Sequence, residues 1–195
     1  MDRELYGLVL AGGKSRRMGS DKALLQRGGK SQLAYLYELV AAVTSKTFVS
    51  ARRDQQDEPQ RAQYPQIVDR YDDIGPAAGI LSAMDACPDV DWLVVACDLP
   101  NIERGTLEFL LAARGQGSPF VAYRSSHDNL PEPLCALYLE GAAAIVRGFV
   151  DEGSVCPRKM LIRSNTLLLE QPDPAALDNI NTREDLQGSV LEARS

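Results

Sequence analysis

Between residues 14 and 30 the chain gathers six cations: Lys14, Arg16, Arg17, Lys22, Arg27 and Lys30. Asp21 is the only acid that opposes them. The run starts directly after Leu10-Ala11-Gly12-Gly13 and is punctuated by Gly19. Glycines let backbone N–H groups come close to an anion, and Lys and Arg neutralise phosphate oxygens. The chemistry suited to such a loop is phosphate binding; the plain alternative is a solvated, turn-rich surface loop. The rest of the chain leans the other way. It has 21 Lys and Arg against 27 Asp and Glu, a net charge of −6. That field repels phosphate at long range, which excludes general binding of nucleic acid or anionic membrane and leaves the positive charge local.

Two acids stand at strand ends, where open α/β sheets bind their ligands. Asp98 follows the most apolar run in the chain, Trp92-Leu93-Val94-Val95-Ala96. A carboxylate at the end of a buried strand can ligate Mg²⁺ and face bound phosphates. Because Pro100 follows closely, a turn or helix N-cap is an equally open reading. Asp69 ends Ile67-Val68 in the same way, beside Asp72 and Asp73, and an ordinary loop acid is its alternative.

Other chemistries are poorly served. The single histidine, His127, lies in the polar stretch Ser125-Ser126-His127-Asp128-Asn129 and is expected to be solvated. Cys87, Cys97, Cys135 and Cys156 contain no Cys-x-x-Cys pair, which argues against a zinc site and a disulfide framework. Free thiols point to a reducing, cytoplasmic setting. No apolar run reaches the ~18–20 residues that span a membrane. Ser15-Arg16-Arg17 is followed by Met18-Gly19-Ser20-Asp21-Lys22 and not by an apolar stretch, so a twin-arginine signal is rejected. Two familiar phosphate loops are also excluded. A P-loop ending at Gly13-Lys14-Ser15 needs Gly where Leu8 stands, and one ending at Gly29-Lys30-Ser31 needs Gly where Leu24 stands. The dinucleotide fingerprint Gly-x-Gly-x-x-Gly is absent from this loop.

The elements that must position these groups alternate. The run Tyr6–Ala11 reads as a strand buried on both faces. After the polar loop from Lys14 to Lys30, Ser31 caps a helical pattern that carries Leu33, Leu36, Tyr37, Leu39, Val40 and Val43. Strands are expected near 47–50, 66–68, 92–96, 119–123, 134–138 and 166–170. Helices are expected near 77–86, 103–113 and 140–151, with a last one starting at Thr182. Residues 52–65 are polar and broken by Pro, and read as a surface connection. The alternation predicts an α/β fold with a mostly parallel central sheet flanked by helices, in one domain over residues 1–195.

At this point the motifs resemble a known signature. Leu10-Ala11-Gly12-Gly13, Arg17-Met18-Gly19 and Asp21-Lys22 are similar to that of the MobA-like nucleotidyltransferases, and among them to the molybdenum cofactor guanylyltransferases. Later landmarks follow in order: Asp69, Gly75-Pro76-Ala77-Ala78-Gly79, Cys97-Asp98-Leu99-Pro100, Pro133 to Tyr138, and Asn179-Ile180-Asn181-Thr182. The resemblance spans nearly the whole chain. It implies a Rossmann-like sheet of the nucleotide-diphospho-sugar transferase type. It also implies transfer of GMP from GTP to the terminal phosphate of molybdopterin, or Mo-molybdopterin, with release of pyrophosphate.

By the same resemblance, Leu10, Ala11, Gly12, Gly13, Lys22, Asp69 and Asp98 bind the nucleotide. Lys22, Arg17 and Asp98 are implied to be catalytic, with Asp98 the Mg²⁺ ligand. Asn179 and Asn181 lie on the pterin side, although turn chemistry at a helix start is their plain role. Molybdenum-insertion proteins and a molybdoenzyme chaperone are further partners the resemblance admits. One departure stands out: the family often places an Asn after its second strand, and Thr47 to Arg53 has none. Ser50 or Arg52 are the substitutes at hand. Related acceptors (a sugar-1-phosphate, a corrinoid phosphate, or molybdopterin with CTP) and a non-catalytic nucleotide sensor are the rival readings.

Overall fold

The apolar runs near residues 5 and 92 lie side by side as parallel strands, β1 (Leu5–Leu10) and β6 (Asp91–Ala96), with Leu5 opposite Asp91 and Leu10 opposite Ala96. In this computed structural model residues 3–12, 21–180, 185 and 189–191 are described. The other strands are β2 (Gln26–Arg27), β3 (Lys30–Ser31), β4 (Lys46–Ala51), β5 (Gln66–Val68), β7 (Phe120–Arg124), β8 (Pro131–Tyr138) and β9 (Thr166–Leu169). The helices are α1 (Gln32–Ala41), α2 (Pro76–Ala86), α3 (Arg104–Leu111), α4 (Ala142–Asp151) and α5 (Pro157–Ile162). Seven strands form one sheet in the order β5-β4-β1-β6-β8-β7-β9, and β2 and β3 form a separate small hairpin. Within the seven-stranded sheet pairing is parallel except at β8, which runs antiparallel to both β6 and β7.

Continuous apolarity in β1 and β6 follows from burial on both faces. Val9, Leu93 and Val95 point to one side, where α1 contributes Leu33, Leu36 and Val40 and α3 contributes Leu107 and Leu110. Tyr6, Leu8, Trp92 and Val94 point to the other, against Ile80, Leu81 and Met84 of α2, Val146 of α4, and Met160 and Leu161 of α5. Fully burying a side chain of this size is worth roughly 1.5–3 kcal/mol, so the two layers fix the sheet between them. Asp91, the one charged residue of β6, is buried and compensated by Arg3 at 3.3 Å and Arg114 at 2.7 Å.

Several expectations need correction. The stretch 14–30 is not a loop to its end: Lys22–Leu24 is a short 3-10 helix, and β2 and β3 follow it. The polar stretch 52–65 is not wholly a surface connection, because Arg61 within it has 0% side-chain exposure. The strand expected near 134–138 begins at Pro131, and α5 was not anticipated. The helix expected to start at Thr182 lies outside the described residues.

Candidate functional site

In strand order the chain leaves β1 for β4 and β5 on one side, then crosses to β6 on the other. Where a parallel sheet reverses direction in this way, a crevice opens beyond the carboxyl ends of the strands. Such a cleft is present here, with a volume of about 890 Å³. Leu10, Ala11, Gly12, Lys22, Asp69 and Asp98, all expected to bind the nucleotide, line it. Ser50, Arg52, Arg53 and Tyr71 line it as well. Gly13, Arg17 and Asn181 lie outside the described residues, as do Lys14 and Arg16. Asn179 is exposed and does not line the cleft. Its neighbour Ile180 donates its N–H to the Asp98 carbonyl at 2.9 Å, so this segment braces the end of β6.

Asp98 and Lys22 face each other across the cleft, with Nζ 4.0 Å from Oδ2. The other carboxylate oxygen, Oδ1, is buried and has no hydrogen-bond partner. Burial pushes the Asp98 carboxyl above the ordinary aspartate range, and the Lys22 ammonium pulls it part of the way back. The turn and N-cap alternatives can now be weighed. The next helix, α3, starts at Arg104 with Glu103 at its N-cap position, so the Asp98 side chain caps no helix. The turn after Asp98 is instead held by other side chains. Gln32 Nε2 donates to the Leu99 carbonyl at 3.3 Å, Tyr35 Oη to the Ile102 carbonyl at 3.0 Å, and Arg27 to the Pro100 carbonyl.

Arg27 therefore belongs to the scaffold, and its guanidinium also sits 3.7 Å over the Tyr35 ring. Lys30 is committed to Glu38 at 2.6 Å. Neither lines the cleft, so these two cations of the basic cluster are not phosphate-facing. Asp21 does not merely oppose the cations. It accepts from the Ala23 N–H at 3.1 Å, capping the short helix that begins with Lys22.

On the other side of the cleft Ser50 Oγ donates to Asp69 Oδ1 at 2.9 Å. Burial raises the Asp69 carboxyl above its ordinary range, while Ser50 and Arg52 act in the opposite direction. A Cβ on Gly12 would come within 3.4 Å of the Arg52 backbone nitrogen, so the glycine keeps β1 close to this wall. Gly79 lines the cleft and is packed tightly as well: a Cβ there would lie 2.3 Å from Ser50 Oγ and 2.9 Å from Leu10. Sequence reasoning singled out Ser50 and Arg52 only as stand-ins for a missing Asn, and it did not find Arg53, Tyr71 or Arg61. In the stretch 52–61 Arg52, Arg53 and Arg61 are balanced by Asp54, Asp57 and Glu58, so its net charge gives no signal. His127 is exposed, as expected, but it has a partner: Nε2 lies 2.8 Å from Asp178 Oδ1.

A bound anion at this cleft would meet the Lys22 amine, and a hard cation would meet the free oxygen of Asp98. Mg²⁺ keeps several waters and takes only one or two protein carboxylates beside phosphate oxygens, so a single buried, unpartnered carboxylate oxygen fits it. Among the described residues no group of three or more His, Cys, Asp or Glu is arranged to hold a metal by itself. The donor set therefore suits a cation that arrives with a phosphate ligand better than a resident protein-caged metal.

The sequence profile of the MobA-like NTP transferase domain matches residues 7–165. A Synechocystis protein named molybdenum cofactor biosynthesis bifunctional protein is 38% identical over 181 residues, covering 93% of this chain and 52% of that one. The chain thus spans about half the length of that relative. A molybdenum cofactor guanylyltransferase of Pseudomonas aeruginosa is 33% identical over 180 residues, covering 91% of this chain and 90% of the relative. Molybdopterin-guanine dinucleotide biosynthesis protein A of Archaeoglobus fulgidus has a solved structure that superposes with a TM-score of 0.78 at 26% identity, over 94% of this chain and 95% of that one. With its sheet, its cleft and the match over residues 7–165, the chain belongs to the family of MobA-like NTP transferase domains and is a nucleotidyltransferase of that kind.

Proposed function

We infer that the chain transfers GMP from GTP to the terminal phosphate of molybdopterin, releasing pyrophosphate and forming the guanine dinucleotide. The observation that carries this reading is the approach of Lys22 and Asp98 across a cleft at the sheet's switch point, 4.0 Å apart at their charged atoms. The names of the P. aeruginosa and A. fulgidus relatives support the base and the acceptor.

The reaction asks for position and charge neutralisation rather than a strong base. An oxygen of the acceptor phosphate forms a bond to the α-phosphorus of GTP, and the bond from that phosphorus to the bridging oxygen of pyrophosphate breaks. The attacking phosphate already carries negative charge near neutral pH, so no histidine is needed to remove a proton. Lys22 stabilises the charge that builds on the α-phosphate, a preorganised contribution that electrostatic sites typically turn into ~10²–10³ in rate. Leu10, Ala11, Gly12 and Gly13 bring backbone groups up to the nucleotide, and Arg17 holds its outer phosphates. Asp98 would hold Mg²⁺ through the oxygen that has no other partner. When bound, the ion offsets charge on the departing pyrophosphate. Asp69 accepts hydrogen bonds from the guanine nucleoside through the carboxylate oxygen that Ser50 leaves open. Asn179 and Asn181 are assigned to the acceptor on the motif resemblance alone.

Among the described residues no helix is long and apolar enough to cross a membrane, in keeping with work in the cytoplasm. Molybdenum-insertion proteins and a molybdoenzyme chaperone are the partners this product would pass between. The deciding experiment follows pyrophosphate release from Mg²⁺ with GTP or CTP in the presence of molybdopterin. Release with GTP and little with CTP is expected. The opposite preference would assign the cytosine branch, and no release with either would leave a nucleotide-binding protein.

A further inference from the structure

Arg61 is the one cation of the polar stretch 52–65 with no side-chain exposure, and it is not spent on the hydrophobic core. Its Nη2 donates to the Ala11 carbonyl at 2.6 Å and to Asp21 Oδ2 at 2.7 Å, and its Nη1 donates to Glu58 Oε2 at 3.3 Å. Glu58 also accepts from the Arg61 backbone N–H at 3.0 Å, which fixes the short turn that presents the guanidinium. Ala11 and Asp21 both line the cleft. Each is also tied elsewhere. The Ala11 N–H donates to the Ser50 carbonyl at 3.2 Å, and Asp21 Oδ1 accepts from Ala23 N–H at 3.1 Å as the cap of helix Lys22–Leu24. One planar fork thus joins the end of β1 to the residue that sets the direction of the Lys22 helix. A planar guanidinium can meet two acceptors at once in fixed geometry, which a flexible ammonium does not do.

We propose that Arg61 is the positioning residue for Lys22: it clamps Asp21 against the end of β1 and so holds the Lys22 amine opposite Asp98. The claim rests on the reading above that Lys22 serves the reacting phosphate. Arg61 does not touch the nucleotide; it acts through Asp21. Displacing a group at a reacting centre by about 1 Å can cost on the order of a hundredfold in rate.

The test uses Arg61→Met and Asp21→Asn, each made in the wild-type chain and in Lys22→Ala. Turnover and KM for GTP are measured with Mg²⁺ and molybdopterin, alongside the melting temperature. Each single variant is expected to lower kcat between about tenfold and a hundredfold, by more than it raises KM. In the Lys22→Ala background neither is expected to lower kcat further. Equal losses in both backgrounds, or wild-type kcat in the single variants, would overturn the clamp. Asp21 is partly exposed, so Asp21→Asn carries the test if Arg61→Met does not fold. A crystal structure of Asp21→Asn needs no activity at all. The Lys22 Nζ to Asp98 Oδ2 distance should lengthen from 4.0 Å, and an unchanged distance would refute the clamp even if the functional reading held. A wild-type chain that makes no pyrophosphate would refute the functional reading and leave that structural arm to judge the clamp.

Discussion

A carboxylate with one oxygen buried and unpartnered, and the other 4.0 Å from an ammonium, is costly unless a ligand completes it. Lys22→Ala is expected to lower kcat by about two orders of magnitude or more, as for loss of a preorganised charge at the reacting centre. Single-turnover kinetics with GTP would check this, and a normal rate would remove Lys22 from the chemistry. Asp98→Ala should abolish Mg²⁺-dependent turnover while the far-ultraviolet spectrum and cooperative melting are retained. Asp69 allows a prediction in pH. Burial raises its carboxyl in the folded chain, so the folded state binds that proton more tightly than the unfolded state does. Stability from this group is present below the unfolded aspartate range and is lost as pH rises through the raised folded value. Asp69→Asn, which keeps an oxygen for Ser50, should therefore gain melting temperature over wild type at neutral pH and lose that gain near pH 4. The same variant should raise KM for GTP. A stability difference that grows toward acid would contradict the burial account.

At the scale of elements, α2 is pressed against β1 and β4 with no room for a methyl group at Gly79. Gly79→Ala should cost roughly 1–3 kcal/mol in urea unfolding, typical of overpacking. It should also disturb the Ser50–Asp69 hydrogen bond and weaken nucleotide binding. An unchanged midpoint would mean that the helix slides freely. The central elements were legible because their physics is local. Runs such as Trp92–Ala96 can be satisfied only with both faces covered, and Ser31 at the start of a 3.6-residue pattern does cap α1. The rest was not local. β2 and β3 are two residues each and carry no periodicity, and α5 is a short helix opened by Pro157. Arg27 reads as one more cation of a basic loop until its partner, the Pro100 carbonyl, is brought to it from 73 positions away. Arg61 misleads for the same reason: a polar stretch says nothing of an arginine whose acceptors, Ala11 and Asp21, come from another part of the chain.

Across the whole molecule, a net charge of −6 is compatible with the phosphate site proposed above, because among the described residues Lys22, Arg52 and Arg53 gather at one cleft at the sheet switch point. Of the residues named from the sequence, Leu10, Ala11, Gly12, Lys22, Asp69 and Asp98 converge on one cleft, whereas Asn179 stands apart from it. That convergence was readable only through the motif resemblance, since composition and periodicity give strands but not which strand ends meet. The central claim is that one triphosphate sits between the Lys22 amine and the Asp98 carboxylate. It is tested most directly by a crystal structure with the α,β-methylene analogue of GTP and Mn²⁺, whose anomalous signal locates the metal. The account predicts manganese on an Asp98 oxygen and the α-phosphate within hydrogen-bonding reach of Lys22 Nζ. A triphosphate bound in another part of the molecule, or in this cleft with its metal away from Asp98, would contradict it.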